Sequence, residues 1–170
     1  MNQTTRLLIA EDDKALAALL HEYLSEGQYV VDVCHRGDEA LACLQEQSYD
    51  LILTDIVMPG ADGLTLLNTV KHQDMDSLVI LMTGYSGIED ALHAVEQGAY
   101  DFVSKPFQLP EIRVRLDNAA RYQKLLRRWD DSQLKKTVTI PDLVAAKHME
   151  MERNRRPLKV AKKAYGLPGS

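Results

Sequence analysis

Leu51-Ile52-Leu53-Thr54-Asp55-Ile56-Val57-Met58-Pro59-Gly60 is a short apolar run that ends in one carboxylate and then breaks into Pro and Gly. A run of this length bounded by turn residues reads as a strand buried on both faces, delivering Asp55 to its C-terminal tip. Three other runs finish alike. Leu7-Leu8-Ile9-Ala10 stops at Glu11-Asp12-Asp13, Leu78-Val79-Ile80-Leu81-Met82 at Thr83-Gly84, and Tyr100-Asp101-Phe102-Val103-Ser104 at Lys105-Pro106. In an open parallel α/β sheet the strand C-termini share one edge, where ligands bind. Acids, a hydroxyl and a lysine are thus expected to converge there.

Helical spacing alternates with these strands. Asp13 can cap a helix from Lys14 to Glu26, with Leu16, Leu19, Leu20, Tyr23 and Leu24 recurring and Gly27 as its stop. A strand at Tyr29 to Cys34 and a helix at Asp38 to Gln47 follow, then the central strand, placed at Tyr49 to Thr54. Helix three carries Leu64, Leu66, Leu67 and Val70. Helix four spans Ile88 to Gln97 ahead of Gly98, and a fifth helix opens near Pro110 with Ile112, Leu116 and Ala119 on one face. Five strands alternating with five helices predict a doubly wound, five-stranded parallel sheet.

Charge divides the chain. Residues 1–129 hold 11 Lys/Arg against 20 Asp/Glu, a net −9, and residues 130–170 hold 9 against 5, a net +4. At 45% apolar and 26% charged, the 170 residues suit a soluble globular domain with roughly forty residues to spare. No apolar run approaches the ~18 residues of a membrane span, and residues 1–10 lack a signal pattern, so a cytoplasmic location without membrane insertion is expected. Cys34 and Cys43 lack metal or CxxC spacing and read as reduced, part-buried thiols. His21, His35, His72, His93 and His148 share no ligand or triad spacing and read as surface residues.

Glu11, Asp12 and Asp55 would place three carboxylates in one pocket, where like charges raise each other's pKa unless a cation neutralises them. Hard oxygen donors in small number suit Mg²⁺. With its charge balanced, Asp55 could attack a phosphoryl group. Thr83 could offer a hydroxyl to one phosphoryl oxygen and Lys105 an ammonium to another, as phosphoryl transfer rests on positioning and charge neutralisation.

Glu11-Asp12, Asp55 followed by Met58-Pro59-Gly60, Thr83-Gly84 and Lys105-Pro106-Phe107 occur in an order that resembles a CheY-like receiver domain of a two-component response regulator, over residues 5 to about 128. The resemblance implies a flavodoxin-like sheet with strand order 2-1-3-4-5. It also implies that Asp55 accepts a phosphoryl group from a sensor histidine kinase or phosphotransfer protein. Asp12, Asp55 and the backbone carbonyl of Val57 would bind Mg²⁺ directly, and Glu11 mainly through water. A switch is implied as well: Thr83 moves toward the phosphoryl group, Phe102 turns inward, and the signal leaves through helix four, strand five and helix five by binding rather than by an output reaction. Phe102 lacks the hydroxyl of the Tyr common at that place, so a phenol hydrogen bond has no part. Lys105-Pro106 is cis in the family. Rapidly hydrolysing members carry a polar side chain two residues after the Asp; Val57 there, and bulky Tyr85 two after Thr83, predict slow self-dephosphorylation. A metal-dependent phosphatase would need a carboxylate at position 57.

The domain is expected at residues 1–128, with 129–170 a helical, basic, partly disordered extension. Tyr122, Leu125, Leu126 and Trp129 carry the fifth helix onward, as a dimerising coiled coil, a partner-docking element or a longer helix on the same domain. A segment from Thr139 to Arg156 has a thin apolar face of Leu143, Val144, Met149 and Met151, and Leu158, Ala161, Ala164 and Tyr165 form another stripe. Arg153, Arg155, Arg156, Lys159, Lys162 and Lys163 could contact nucleic acid, an acidic partner or a membrane surface, or stay solvated. Alternatives to a terminal regulator are a phosphorelay intermediate passing phosphate to a histidine and a nucleic-acid-binding regulator using the basic tail.

Overall fold

A computed structural model describes residues 3–134, 145 and 147–151, apart from the side chains of Tyr85 and Leu134. The elements run β1 (Thr5–Ala10), α1 (Lys14–Ser25), β2 (Tyr29–Cys34), α2 (Gly37–Glu46), β3 (Leu51–Asp55), α3 (Gly63–His72), β4 (Leu78–Thr83), α4 (Ile88–Glu96), β5 (Asp101–Ser104) and α5 (Leu109–Leu134). A single 3₁₀ turn, Tyr85–Gly87, precedes α4. All strand pairs are parallel, in the order β2-β1-β3-β4-β5. This is the expected doubly wound, flavodoxin-like sheet.

The apolar runs are continuous because both sheet faces are covered. Leu8, Ala10, Ile52, Val79 and Leu81 point into one core with residues of α2, α3 and α4. Leu7, Ile9, Leu51, Leu53, Ile80 and Met82 point into the other, against Leu20 and Leu24 of α1 and Ile112, Leu116 and Ala119 of α5. Strand alternation sorts one sequence run onto two layers. Every residue of β3 is buried, the charged one included. Asp13 caps α1, its carboxylate accepting the Leu16 N–H at 3.1 Å.

The central strand begins later than expected. Tyr49 lies outside β3 because Asp50 turns its carboxylate onto the Arg6 N–H at 2.7 Å, and ladder pairing starts with Leu7 opposite Leu51. The strand then includes Asp55, paired with Met82. Helix α5 continues for 26 residues. Within it, buried Gln123 donates to the carbonyls of Asp50 (2.9 Å) and Asp76 (2.6 Å), satisfying loop oxygens at the N-terminal edge of the sheet. The chain divides into two units, residues 1–125 and 126–170, with the boundary inside α5. Most of the second unit, including the basic cluster, the stripe from Leu158 and much of the Thr139 to Arg156 segment, lies outside the described residues; Met149 and Met151, within them, are exposed.

Candidate functional site

Three strand ends build a charged pocket. Glu11 follows β1 directly, Asp55 ends β3, and Lys105 follows β5. The Lys105 Nζ donates to Glu11 Oε2 at 2.8 Å and to Asp55 Oδ2 at 2.6 Å. Its backbone N–H is anchored on the Thr83 carbonyl at 2.7 Å, and the Lys105-Pro106 bond is cis. The other Asp55 oxygen, Oδ1, accepts the Val57 N–H at 3.2 Å, and Glu11 Oε1 accepts the Asp13 N–H at 3.2 Å. Both carboxylates are thereby oriented by backbone as well as by the lysine.

Glu11 is only 1% exposed. Burial, the largest influence, pushes its carboxyl up to about 7; the Lys105 hydrogen bond pulls it down and the Asp55 charge pushes it up again. Lys105 feels the opposite balance. Burial alone disfavours its ammonium, but hydrogen bonds to Asp55 and Glu11 outweigh that and hold its pKa above the ordinary lysine value. The lysine is firmly cationic, and the pocket still carries more negative than positive charge.

Asp12 is exposed at the rim, and oxygens from Glu11, Asp12 and Asp55 all lie within 4.8 Å of one another. Among the described residues this is the one acidic or His/Cys cluster that brings three donors together. An all-oxygen set with uncompensated negative charge fits a small hard divalent cation.

Thr83 is buried, and its hydroxyl donates to the Gly84 carbonyl at 3.0 Å. A Cβ on Gly87 would stand 2.1 Å from that hydroxyl oxygen, so the bare glycine in the 3₁₀ turn leaves the Thr83 side chain its room. Gly63 leaves room for the Asp55 main chain instead: a Cβ there would lie 2.4 Å from the Asp55 carbonyl oxygen, and its N–H donates to the Ile56 carbonyl at 2.8 Å. Phe102 is not part of the charge cluster. It is half-buried in β5, opposite Leu81, packed against the core under α2–α4. Val57 is 78% exposed, an apolar side chain beside the acid. The shading side chain expected of Tyr85 lies outside the described residues.

Glu11, Asp55 and Lys105 are therefore in direct contact, Asp12 is within a cation's reach of them, and Thr83 ends the strand next to Asp55. Sequence reading overlooked two positions. His35, expected on the surface, is half-buried with Nδ1 3.1 Å from the Glu11 carbonyl oxygen, because β2 ends beside β1 and turns toward the acid pair. Gly87 carried no signal, since its importance lies in an approach to Thr83 that no spacing rule encodes.

Residues 7–117 match the response regulator receiver domain family. The chain belongs to that family. It is 33% identical over 122 residues to the transcriptional regulatory protein DltR of Streptococcus agalactiae, covering 72% of this chain and 54% of that protein. The regulatory protein VanRB of Enterococcus faecalis is 36% identical over 123 residues, 72% of this chain and 53% of that one. The chain spans about half the length of such relatives. Among solved structures, the receiver domain of the Francisella response regulator 1452 superposes with a TM-score of 0.66 at 28% identity, covering 70% of this chain and 98% of that one. These relatives are named as regulatory proteins or response regulators. Among the described residues, no helix of this receiver is long and apolar enough to cross a membrane.

Proposed function

We propose that this receiver takes a phosphoryl group onto Asp55 from a phosphohistidine on a sensor kinase or phosphotransfer protein. The observation that carries the reading is the Lys105 ammonium held at 2.6 Å from Asp55 and 2.8 Å from buried Glu11, at the tip of the central strand. Mg²⁺ bound by Asp12, Asp55 and the Val57 carbonyl, with Glu11 acting through water, would offset the negative charge of the incoming phosphoryl oxygens. An Asp55 oxygen forms the bond to phosphorus as the phosphorus–nitrogen bond of the donor histidine breaks, and the imidazole leaves with the electron pair. Lys105 then pairs with one phosphoryl oxygen and the Thr83 hydroxyl, released from the Gly84 carbonyl, donates to another. Movement of Thr83, with Phe102 turning inward behind it, changes the α4–β5–α5 face, and the output is binding of a downstream protein or of a second copy. Exposed, apolar Val57 offers an attacking water no hydrogen bond, which supports a long-lived phosphoryl form.

In this reading residues 1–128 are the receiver, residues 129–170 a basic C-terminal extension, and the protein works in the cytoplasm. The test is incubation with a small phosphodonor, acetyl phosphate, and Mg²⁺, followed by intact mass. Wild type gains one phosphoryl group and Asp55→Asn none; uptake by the variant refutes the assignment. Light scattering with beryllofluoride then separates self-association, a mass increase in wild type only, from signalling through another protein.

A second reading is favoured by the names of the relatives, which are transcriptional regulators. The basic cluster Arg153 to Lys163 would then contact nucleic acid, with affinity falling steeply with salt and lost on deleting residues 139–170. Fast, reversible exchange with a phosphotransfer protein would instead mark a phosphorelay intermediate.

A further inference from the structure

The two cysteines, unremarkable in sequence, meet in space. Cys34 closes β2 and Cys43 lies in α2, and their sulfurs are 3.4 Å apart, each serving as the other's hydrogen-bond partner. Both are free thiols packed against the core shared by α2, α3 and α4. A disulfide needs its sulfurs at about 2.0 Å, so bonding requires the two sulfurs, already in contact, to close by roughly 1.4 Å. The two residues are unequal: Cys34 is 5% exposed, whereas Cys43 is only partly buried. Phosphoryl transfer uses neither.

We propose that Cys34 and Cys43 form a reversible intramolecular disulfide by exchange with a small-molecule disulfide of the glutathione class. The less buried Cys43 reacts first. Its thiolate attacks one sulfur of glutathione disulfide, the sulfur–sulfur bond breaks, and one glutathione leaves as thiolate to take up a proton. Cys34 then attacks the Cys43 sulfur, displacing the second glutathione, which receives the proton Cys34 gives up. Two protein thiols are oxidised and one glutathione disulfide is reduced to two glutathione thiols. Burial, reinforced by the Cys43 hydrogen bond, pushes the Cys34 thiol up to about 12, consistent with Cys34 acting second. The bond would lie one hydrogen bond from the acid pocket, because the Cys34 carbonyl accepts the Glu11 N–H at 3.0 Å.

The test is equilibration of the full chain in glutathione redox buffers, acid quenching, alkylation of remaining thiols and mass mapping. Because the fold holds the sulfurs in contact, the folded protein should be half-oxidised in a buffer at least tenfold more reducing than the chain in concentrated urea, as an internal bond between Cys34 and Cys43. Equal or easier oxidation of the unfolded chain, or linkage between separate molecules, would overturn the proposal. Cys34→Ala should stop after the first step and accumulate glutathione on Cys43. Preferential accumulation on Cys34 in Cys43→Ala would overturn the order of attack.

Discussion

Replacing Glu11 by Gln keeps an acceptor oxygen for Lys105 but removes a charge the fold tolerates poorly. In the unfolded chain this carboxyl titrates near 4.5; in the fold, burial moves it to about 7. An acid whose pKa is raised by folding costs no stability below its unfolded pKa. As pH rises from 4.5 toward 7, the unfolded chain gives up a proton that the fold retains, so stability is lost, and above pH 7 the loss is complete. Integrated from pH 5 to pH 8, that single group costs the wild type about 2–3 kcal/mol. Glu11→Gln lacks the titration. The stability of the variant minus that of the wild type should therefore rise by about 2–3 kcal/mol across this range. Urea unfolding followed by far-UV circular dichroism, at pH 5, 6, 7 and 8 with a chelator present, measures the difference directly, and every group other than the site cancels in the subtraction. Saturating Mg²⁺ should shrink the difference at pH 8, because the cation repays the wild-type carboxylate and not the amide. A difference that stays flat with pH, or declines, would refute a buried, charge-strained Glu11 and with it the electrostatic account of the pocket.

Mg²⁺ itself, at a hundredfold excess over its dissociation constant, should add about 2.7 kcal/mol to wild-type stability, seen as a rise in Tm, with most of the rise lost in Asp12→Asn. Gly63→Ala should destabilise by about 2–3 kcal/mol in urea titration, because its methyl group would press on the Asp55 carbonyl, which is backbone and yields little. Val57→Asn, which gives an attacking water a partner beside Asp55, should speed loss of the phosphoryl group about tenfold, equivalent to ~1.4 kcal/mol of barrier, in a decay assay with Mg²⁺ and no phosphatase. Lys105→Met should abolish uptake from acetyl phosphate while Mg²⁺ still raises Tm.

Much of the architecture was legible because β1, β3 and β4 are largely apolar runs cut off by a charged or turn residue. That is the pattern a sheet covered on both faces demands, and it places Glu11, Asp55, Thr83 and Lys105 on one edge. What escaped were properties of approach between segments. Asp50 was hidden inside an apparently continuous strand because its role is to receive an N–H from Arg6, forty-four residues away. Gly87 reads as an ordinary loop residue until the Thr83 hydroxyl is found against it. His35 reads as surface until β2 is seen to end beside Glu11.

The same limit explains the pocket's electrostatics. Three acids and one lysine could be counted from sequence, but counting does not say which acid is buried. The fold answers unevenly: Asp12 stays in solvent, Asp55 opens slightly to it, and Glu11 is sealed. The sealed acid bears the desolvation cost, and the lysine reaches it and Asp55 together. In the proposed mechanism, a cation or a phosphoryl group entering the pocket would redistribute Lys105 between its two carboxylates. Because the Lys105 backbone N–H hangs on the Thr83 carbonyl, a change at that ammonium is mechanically adjacent to the strand end that carries the Thr83 hydroxyl. In the proposed mechanism, coupling between the charge state of Asp55 and the position of Thr83 would then need no long pathway; it would run through one side chain and one backbone hydrogen bond.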